Sequence, residues 1–396
     1  MKLKFTILAF VAMLAGYASS KNVMDAVVAA WTSDAESPVG QVVRIITPEL
    51  TGSGTEDDPY IIGNADELEL FRASVNAGET KYNAPGVWTA LDADIDLAGV
   101  EWTEGIGDGH NWSYDGNFDG KGHVISNLVI RPYADASNYI CGGLFGYIFA
   151  GVTIRNLIIE NVTVECSDEG HNVGALVGFA NNNGGKAAIS NIAVRGNIVV
   201  DAPAAYGVGT IIGYSYREMG SITNCSVEGH DGSYINGHSF VGGITGYSNS
   251  NATITDCSVS NVDITATSYS VGGIAGLVLG GNVVSNCSVE NVVVSGVANA
   301  GNIVGAIASN GIVVENCTAT EPLVGGNYGD NQPVEARIGN AYYATLADAV
   351  AVANGKTITL VGNVVLDETL NVPYGTTTTL DLNGKSISQV KEQTAA

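Results

Sequence analysis

The chain has 396 residues, 51 of them glycine, and its 40 acidic and 16 basic side chains give a formal net charge of -24. So acidic a surface repels phosphate backbones and anionic lipids, and the few Lys and Arg residues are scattered, which excludes nucleic acid as a predicted partner. We interpret the charge as the means by which a long, glycine-rich chain stays soluble. Calcium binding is the alternative, but no D-x-D-x-D-G loop supports it.

The first twenty residues have the pattern of a secretory signal. Lys2 and Lys4 precede an apolar run from Phe5 to Ala15, and small residues close the segment. The run is too short to span a bilayer, and no later stretch is long enough. The sequence therefore predicts a signal peptide over residues 1–20, a bacterial chain that is secreted or at the cell surface, and no integral membrane segment after cleavage.

A short helix is predicted ahead of the repeats. Residues 21–50 show no periodicity and are treated as a lead-in. Asn64 is a candidate N-cap for a helix from about Ala65 to Val75, with Leu68, Leu70 and Phe71 on its buried face. An amphipathic helix at this place would cover the first open edge of a solenoid. Residues 51–135 are therefore predicted to form an N-terminal cap and the first coils.

A glycine unit, G-x-[LI]-x-G, recurs six times in the centre of the chain. Its copies begin 32, 35, 33, 30 and 29 residues apart, at Gly142, Gly174, Gly209, Gly242, Gly272 and Gly301. Six copies at a nearly constant spacing are a strong indication of a repeat architecture.

An asparagine follows each glycine unit by 14 to 17 residues. The series is Asn156, Asn191, Asn224, Asp256, Asn286 and Asn316, with Asn127 as an earlier first member. Apolar residues recur two positions before each (Ile154, Ile189, Ile222, Ile254, Val284, Val314) and three positions after (Ile159, Val194, Val227, Val259, Val289, Ala319). Asn tolerates left-handed backbone angles, so these positions predict a bend that stacks into an asparagine ladder.

Each unit of about 30 residues is interpreted as one coil that holds two or three short strands. Alternation and glycine content exclude a helical repeat, and hairpin turns of the kind a β-propeller needs do not separate the strands. The fold class predicted is all-β: a right-handed parallel β-helix over residues 136–321, preceded by a capping helix.

At these residues the chain resembles proteins that carry the GLUG motif. Gly-Gly-Leu-Phe-Gly at 142–146 and its five copies look like that motif, and the segment from Gly54 to Ile62 is similar to the lead-in of such proteins. The resemblance spans roughly residues 51–320. It implies a secreted or cell-surface β-helix, of the kind found in adhesins and beside large surface proteases. The chain departs from the protease type, because it has no H-E-x-x-H motif.

A different pattern begins after the repeats. Residues 322–335 are predicted to be a linker, and residues 336–396 the opening of a second β-helix-like module. In that module we predict a helix near Leu346 to Ala353 and strands over 357–360, 364–372 and 376–387. Because so little chain is left to close a core, the sequence is interpreted as a fragment of a longer protein.

The cysteines occupy apolar positions of the repeat. Cys225, Cys257, Cys287 and Cys317 follow the ladder residue, at the place of Leu128, Leu157 and Ile192, and Cys141 takes the place of Val173. A residue that exchanges with Leu or Val acts as a small buried hydrophobe, so one buried column of free thiols is predicted. Disulfides and metal binding are the lesser alternatives.

Aromatic residues form the candidate binding site. Tyr147, Phe179, Tyr214 and Tyr247 each follow the closing glycine of a unit. If the column points outward, it offers a flat stacking platform for sugar rings, and if it points inward, it is core. Both faces of the strand are apolar, so alternation leaves both possibilities open, and buried packing is favoured because it needs no function.

The function predicted is a non-catalytic, adhesin-like binding or structural stalk module that contacts a glycan or a host or cell-surface protein. No catalytic residue, cofactor or metal ligand is assigned, and the chain is predicted not to be an enzyme. The alternative is a carbohydrate-active β-helix enzyme, a polysaccharide lyase or hydrolase. Such enzymes use acids with a basic partner on one face, and the array has no recurring basic position.

Overall fold

The computed structural model describes residues 49–107, 113–132, 141–149, 151–167, 169, 172–249, 251–329 and 331–389. The described chain is nearly all β, and its only helices are Ala65–Asn76 and Leu346–Val352. Three parallel sheets run along one axis, so the prediction of an all-β, parallel β-helix is confirmed. The predicted signal peptide and nearly all of the predicted lead-in lie outside the described residues.

The largest sheet, which we call the ladder sheet, has 22 strands. In the N-terminal part they are Tyr60–Ile62, Trp88–Leu91, Ile95–Asp96, Glu101–Trp102, Asn117–Asp119 and Val124–Ile130. In the repeat array they are Thr153–Glu165, Ala188–Ala202, Ser221–Thr223, Ser226–Gly229, Tyr234–Gly237, Thr253–Thr255, Ser258–Ser260, Asp263–Ala266, Val283–Ser285, Ser288–Glu290, Val294–Gly296 and Ile312–Glu315. After the array follow Ala336–Ile338, Ala341–Tyr343, Thr357–Leu360 and Thr379–Asp381.

Two narrower sheets complete each coil. The short sheet has six strands, Cys141–Gly142, Asn172–Gly174, Gly207–Gly209, Phe240–Gly242, Val271–Gly272 and Ala300–Gly301. The aromatic sheet has seven, Phe145–Phe149, Val177–Asn181, Ile212–Tyr216, Thr245–Ser248, Ala275–Val278, Val304–Ile307 and Val324–Asn327. The last of these strands, Val324–Asn327, lies within the segment predicted to be a linker. That segment therefore supplies the seventh strand of the aromatic sheet.

The core lies inside the coils and is built from stacked identical positions. Ile154 pairs with Ile189, which pairs with Ile222, and the column continues through Ile254 to Val284. All five side chains are fully buried. The column that was predicted from the spacing before each ladder residue is therefore confirmed, because parallel in-register pairing places equivalent residues of successive coils on top of one another.

The asparagine bend has the backbone angle that was predicted. The six ladder residues from Asn156 to Asn316 have φ between 51° and 56°. Axial side-chain bonds join three of the five successive pairs: Nδ2 of Asn191 donates to Oδ1 of Asn156 at 2.9 Å, Nδ2 of Asn224 to Oδ1 of Asn191 at 2.7 Å, and Nδ2 of Asn286 to Oδ1 of Asp256 at 3.1 Å. The left-handed angle is tolerated by Asn, and the axial bonds satisfy the amides.

Asn127 does not begin this ladder, which corrects the sequence prediction. Ser126 pairs with Glu160 and Leu128 with Val162, so Asn127 lies over Asn161. Asn161, Asn261 and Asn291 also have positive φ, between 53° and 55°, and form a second bend one strand further on. The spacing of 29 residues from Asn127 to Asn156 equals a coil length by coincidence, because the early coils are longer.

The glycine units mark a tight corner between the short sheet and the aromatic sheet. A Cβ at Gly242 would lie 2.1 Å from the carbonyl oxygen of Thr245, and a Cβ at Gly246 would lie 2.4 Å from the amide nitrogen of Val208. Neither glycine has a left-handed backbone angle, so both are required by space alone. The corresponding glycines of the neighbouring coils meet the same obstacles.

The N-terminal helix covers the first coils as predicted. Oδ1 of Asn64 accepts from the amide of Glu67 at 3.0 Å, and the Glu67 carboxylate accepts in return from the amide of Gly63 at 2.7 Å. The pair resembles a capping box, except that Glu67 accepts from the residue before the N-cap instead of from the N-cap itself. Leu68 and Phe71 are fully buried, but Leu70, predicted to be buried, is only half-buried.

The C-terminal segment combines a hairpin with parallel strand pairs. Ala341–Tyr343 pairs in the antiparallel sense with Ile312–Glu315 and so covers the end of the ladder sheet. Thr357–Leu360 then pairs in parallel with Thr379–Asp381, and Val364–Leu366 pairs with Ile387–Gln389. The predicted strands over 364–372 and 376–387 are therefore shorter than expected, and a small separate core around Leu346 supports the segment.

Replacement of Gly246 by Ala should lower the free energy of unfolding by about 2–3 kcal/mol, because the added methyl group meets backbone atoms that cannot move aside. Gly329→Ala is the matched control: its Cβ would make only an ordinary contact, 3.6 Å from Asn327, at a φ outside the left-handed range. Urea unfolding followed by circular dichroism measures both. Equal stability of the two variants would contradict the space argument.

Asp256→Asn should stabilise the protein by about 1 kcal/mol. Among the described residues, axial bonds run from Asn224 through Asn191 to Asn156, and one further bond runs from Asn286 to Asp256. None joins Asp256 to Asn224, because an ionised carboxylate cannot donate. The charge-matched control is Asp231→Asn, at an exposed turn. A denaturation midpoint for Asp256→Asn no higher than that of the control would contradict the argument.

Candidate functional site

The aromatic column lies on the outside of the solenoid. On the strand Phe145–Phe149, Ile148 is buried in the main core, whereas its neighbour Tyr147 is half-buried on the opposite face. The strand pairing continues this arrangement, since Tyr147, Phe179, Tyr214 and Tyr247 pair in register from coil to coil. The interpretation of the column as solenoid core is therefore wrong.

The four rings stack on one another along the axis. Centroids of Tyr147 and Phe179 are 5.1 Å apart, those of Phe179 and Tyr214 5.5 Å, and those of Tyr214 and Tyr247 4.1 Å. The planes deviate from parallel by 18° at most. Because each inner ring has a neighbour on both faces, the column presents ring edges outward, which differs from the flat platform considered from the sequence.

A second apolar cluster forms where this column meets the short sheet. Phe240, on the outer face of the short sheet, packs against Tyr247 at 5.5 Å between centroids, and Leu277 and Ala306 extend the cluster along the axis. Leu277 and Ala306 are buried although they lie outside the main core. The tight glycine corner explains this burial, since it folds the outer faces of the two sheets towards each other.

Exposed tyrosines continue the column at its margins. Tyr216 stacks on Phe179 at 6.4 Å, and Tyr328 packs edge to face against Phe240 at 5.4 Å and against Tyr269 at 6.3 Å. Tyr216, Tyr269 and Tyr328 are each about 40% exposed. We call the whole set the aromatic band: Tyr147, Phe179, Tyr214, Tyr216, Phe240, Tyr247, Tyr269 and Tyr328. The last two exposed members were missed from the sequence because they lie in loops that do not repeat.

Hydroxyl groups give the band a polar rim. The Tyr214 side chain bonds to Tyr247, and Nδ2 of Asn181 donates to the hydroxyl of Tyr147 at 2.7 Å. Burial raises the pKa of Tyr247, so its hydroxyl is neutral and can both donate and accept near neutral pH. The band can thus offer apolar ring edges together with hydrogen-bonding hydroxyls, which lie on adjacent coils at Tyr214 and Tyr247.

The four repeat cysteines form one stacked column, as predicted. Ile192 pairs with Leu157, and the pairing of the adjacent residues places Cys225, Cys257 and Cys287 in the same column. These three are 1% exposed and Cys317 is half-buried. All six cysteines are free thiols. Two register details differ from the prediction, since Cys141 pairs with Asn172 and not Val173, and Leu128 pairs with Val162 outside the cysteine column.

Stacking changes the ionisation of these thiols. Contact with the Cys225 thiol, together with burial, raises the pKa of Cys257 to about 12. Contact with Cys257 and burial likewise raise the pKa of Cys287 to about 12. Because the thiolate is the nucleophile and metal ligand, neutral buried thiols of this kind are poor at both tasks.

A metal centre and a membrane-spanning helix are both absent from the described residues. No group of three or more His, Cys, Asp or Glu side chains there is arranged to hold a metal ion. In the same part of the chain, neither helix has the length and apolar character needed to cross a bilayer.

The fold and site define a parallel β-solenoid with an outer aromatic band, and curated proteins with related sequences are known. No family model matches the chain. Halomucin of Haloquadratum walsbyi is 30% identical over 146 residues, which are 34% of this chain and 1% of halomucin. A protein of Evansella cellulosilytica, provisionally named a Gly-rich membrane protein, is 33% identical over 150 residues, 36% of this chain and 15% of that protein. The chain thus spans a small part of these relatives.

One solved structure has a similar fold over most of the chain. It is a Bacteroides ovatus protein, provisionally named an immunoglobulin A1 protease, with a TM-score of 0.50 and 21% identity, covering 85% of this chain and 86% of that one. At this identity the likeness shows the shared fold. It nevertheless contradicts the prediction that the chain is not an enzyme, because the matched structure carries the name of one. That prediction is withdrawn.

A bulky maleimide should leave Cys225, Cys257 and Cys287 of the native protein unmodified and react first at half-buried Cys317, because burial keeps the reagent from the three inner thiols. At Cys257 and Cys287 a raised pKa also removes the reactive thiolate. Peptide mass spectrometry after labelling at pH 7.5 and pH 9 measures this, with labelling in guanidinium as the control for all six thiols. The pKa of Cys257 is about 12 in the folded protein and 9.0 in an ordinary thiol, so the unfolded chain loses this proton first as the pH rises. The contribution of Cys257 to the free energy of unfolding is therefore complete below about pH 9 and is lost towards pH 12. Fast native labelling of Cys257 would contradict the buried column.

Proposed function

We propose that the chain is a secreted or cell-surface β-solenoid module, adhesin-like in function, that contacts a glycan through its aromatic band. The observation that supports this most is that the rings Tyr147, Phe179, Tyr214 and Tyr247 lie outside the core, in register over four coils, next to exposed tyrosines. Apolar rings that lie together at the surface are typical of an interaction site.

The geometry favours an elongated, hydroxyl-bearing ligand that lies along the solenoid axis. Successive coils are about 4.8 Å apart, a distance comparable with the length of one sugar unit. The hydroxyls of Tyr214 and Tyr247, one coil apart, can donate to and accept from sugar hydroxyls, while ring edges cover the apolar C–H groups. Repeated similar contacts also allow weak individual interactions to add up along one chain.

Charge narrows the ligand class to neutral glycans. The chain carries a formal net charge of -24, which repels polyuronates and sulfated glycans at moderate ionic strength, and the one cation against a ring of the band among the described residues is Arg217, 5.3 Å from Tyr216. The described members of the aromatic band are themselves uncharged. Neutral polysaccharides can therefore reach the band without an electrostatic penalty, whereas pectin-like polymers are repelled by the net charge of the chain.

Three observations support the proposed location. The first twenty residues have the pattern of a secretory signal, and one relative is provisionally named a membrane protein. The six glycine units resemble the GLUG motif, and membership of that group is part of this proposal. A regular solenoid with a hydrogen-bonded ladder would also give the rigidity that an extended surface module requires.

Contact with a cell-surface protein is the second candidate function, because exposed tyrosines such as Tyr328 are typical of protein interfaces as well.

The double variant Tyr214→Phe/Tyr247→Phe should lower the affinity for neutral glycans about thirtyfold, since each of the two lost hydroxyl bonds is worth about 1 kcal/mol net while the ring stack is kept. The measurement is a neutral-glycan array followed by calorimetry on the best ligand. Tyr374→Phe, at a fully exposed tyrosine remote from the band, is the matched control. Unchanged affinity in the double variant, or a preference for polygalacturonate over neutral glycans, would refute the proposal.

A further inference from the structure

Cations in the N-terminal half of the chain sit in a recurring arrangement. Three described Lys or Arg side chains each lie against an aromatic ring and pair with a carboxylate at the same time. They are Arg72, 5.3 Å from the Trp102 ring and 2.6 Å from Glu69; Lys81, 5.1 Å from the Tyr82 ring and 2.8 Å from Glu49; and Arg155, 4.4 Å from the Trp88 ring and 2.8 Å from Asp119. Ring and carboxylate attract the cation together.

A fourth ring and carboxylate lie on the outer face of the ladder sheet, in a shallow groove. Tyr234 and Asp263 are paired partners on adjacent coils, and Asn236 and Thr265 are the next outward pair. With Gly232 and Ser233 these residues line a cavity of about 400 Å³. Tyr234 and Asp263 are both exposed, so an external group can reach the ring and the carboxylate together.

None of the described Lys or Arg side chains takes the place of the cation in this groove. The basic residues on the strands next to the groove bond to other carboxylates: Arg195 bonds to Glu160 at 2.7 Å, and Arg131 bonds to Glu165 at 2.7 Å. Asp201, at the groove margin, accepts from Nδ2 of Asn236 at 2.9 Å. The field around Tyr234 is accordingly negative, and burial together with the charges of Asp201 and Glu165 raises the pKa of its hydroxyl.

The same face shows how a guanidinium is accommodated. Arg131 lies beside the coil of Glu165, and its guanidinium joins Glu165 to Glu101 across neighbouring coils. Glu165 pairs with Asp201 on the next coil, and Asp201 pairs with Asn236 on the coil after that. Asn236, which lines the groove, therefore lies in the same row of outward-facing residues as Glu165. A planar guanidinium can both bond to a carboxylate in a fork and lie on a ring, which a compact ammonium does less well.

We propose that the groove of Tyr234 and Asp263 binds an arginine side chain of a partner polypeptide. The ring of Tyr234 receives the guanidinium face, the carboxylate of Asp263 accepts its N–H groups, and the side chains of Asn236 and Thr265 provide further polar contacts. This site lies on the ladder sheet, away from the aromatic band, and its existence does not depend on glycan binding there.

The experiment compares peptides that differ only in charge. The full chain is titrated by calorimetry with a tri-arginine peptide and with its tri-citrulline counterpart, which keeps the shape and loses the charge. We expect saturable binding of the arginine peptide, weakened at least fivefold by Tyr234→Ala and by Asp263→Asn, and no measurable binding of the citrulline peptide. Tyr234→Phe keeps the ring and should bind within about twofold of the natural chain, as expected for a cation–aromatic contact.

Two controls separate the groove from the general acidity of the chain. Asp367→Asn removes one exposed carboxylate remote from the groove and should leave arginine binding unchanged. Thr265→Arg places the protein's own guanidinium beside Asp263 and should abolish peptide binding while leaving the far-ultraviolet circular dichroism spectrum unaltered. Equal loss in Asp367→Asn and Asp263→Asn, or full binding in Tyr234→Ala, would overturn the proposal in favour of diffuse attraction to an acidic surface.

Discussion

The close approach of the short sheet to the aromatic sheet is the constraint on which the rest of the structure depends. At this corner both obstacles to a side chain are backbone atoms, 2.1 Å from a Cβ on Gly242 and 2.4 Å from a Cβ on Gly246. A flexible side chain can rotate away from a methyl group, but a hydrogen-bonded strand cannot. Two glycines per coil are therefore required, and their repetition keeps successive coils in one register over the whole array.

The corner also determines what lies outside the solenoid. Because it folds the outer faces of two sheets towards each other, residues such as Leu277 and Ala306 are buried without belonging to the main core. In-register pairing then places aromatic rings of successive coils one above another, at centroid distances from 4.1 to 5.5 Å. Stacking follows from the in-register pairing, since equivalent side chains of successive strands leave the sheet in the same direction about one coil apart and their ring planes stay parallel.

Most of the fold could be predicted because each coil repeats the same physical requirements. Glycine at the corner, Asn at the left-handed bend and Ile or Val towards the core each leave a periodic trace, and columns such as Ile189–Ile222–Ile254 were found in this way. The register of the first coils was not predictable from spacing. Asn127 fits two ladders equally well by residue count, and only the strand pairing with Glu160 and Val162 places it over Asn161.

The candidate site was harder to predict, for reasons that lie in its geometry. The sequence identified Tyr147, Phe179, Tyr214 and Tyr247 as one column, but alternation requires one polar face, and both faces of these strands are apolar. The inward position holds Ile148 in one coil and Ser248 in another, so no periodic contrast distinguished it from the aromatic position. Exposed members of the band such as Tyr328 come from loops outside the repeat, where spacing carries no information.

Stacking at one-coil spacing has a further consequence for charge. Identical side chains lie about 4.8 Å apart along each row, so a row of carboxylates is repelled at every step, whereas Asn, Ser, Thr and Tyr can bond to their own kind. The chain accordingly alternates charges where it places them on neighbouring coils, as Arg195 does with Glu160 and Arg155 with Asp119. With 40 acidic and 16 basic residues, such alternation cannot be complete. Asp263 has Tyr234 as its partner on the preceding coil and no basic neighbour there, so a cation from another molecule can approach this carboxylate on the outer face.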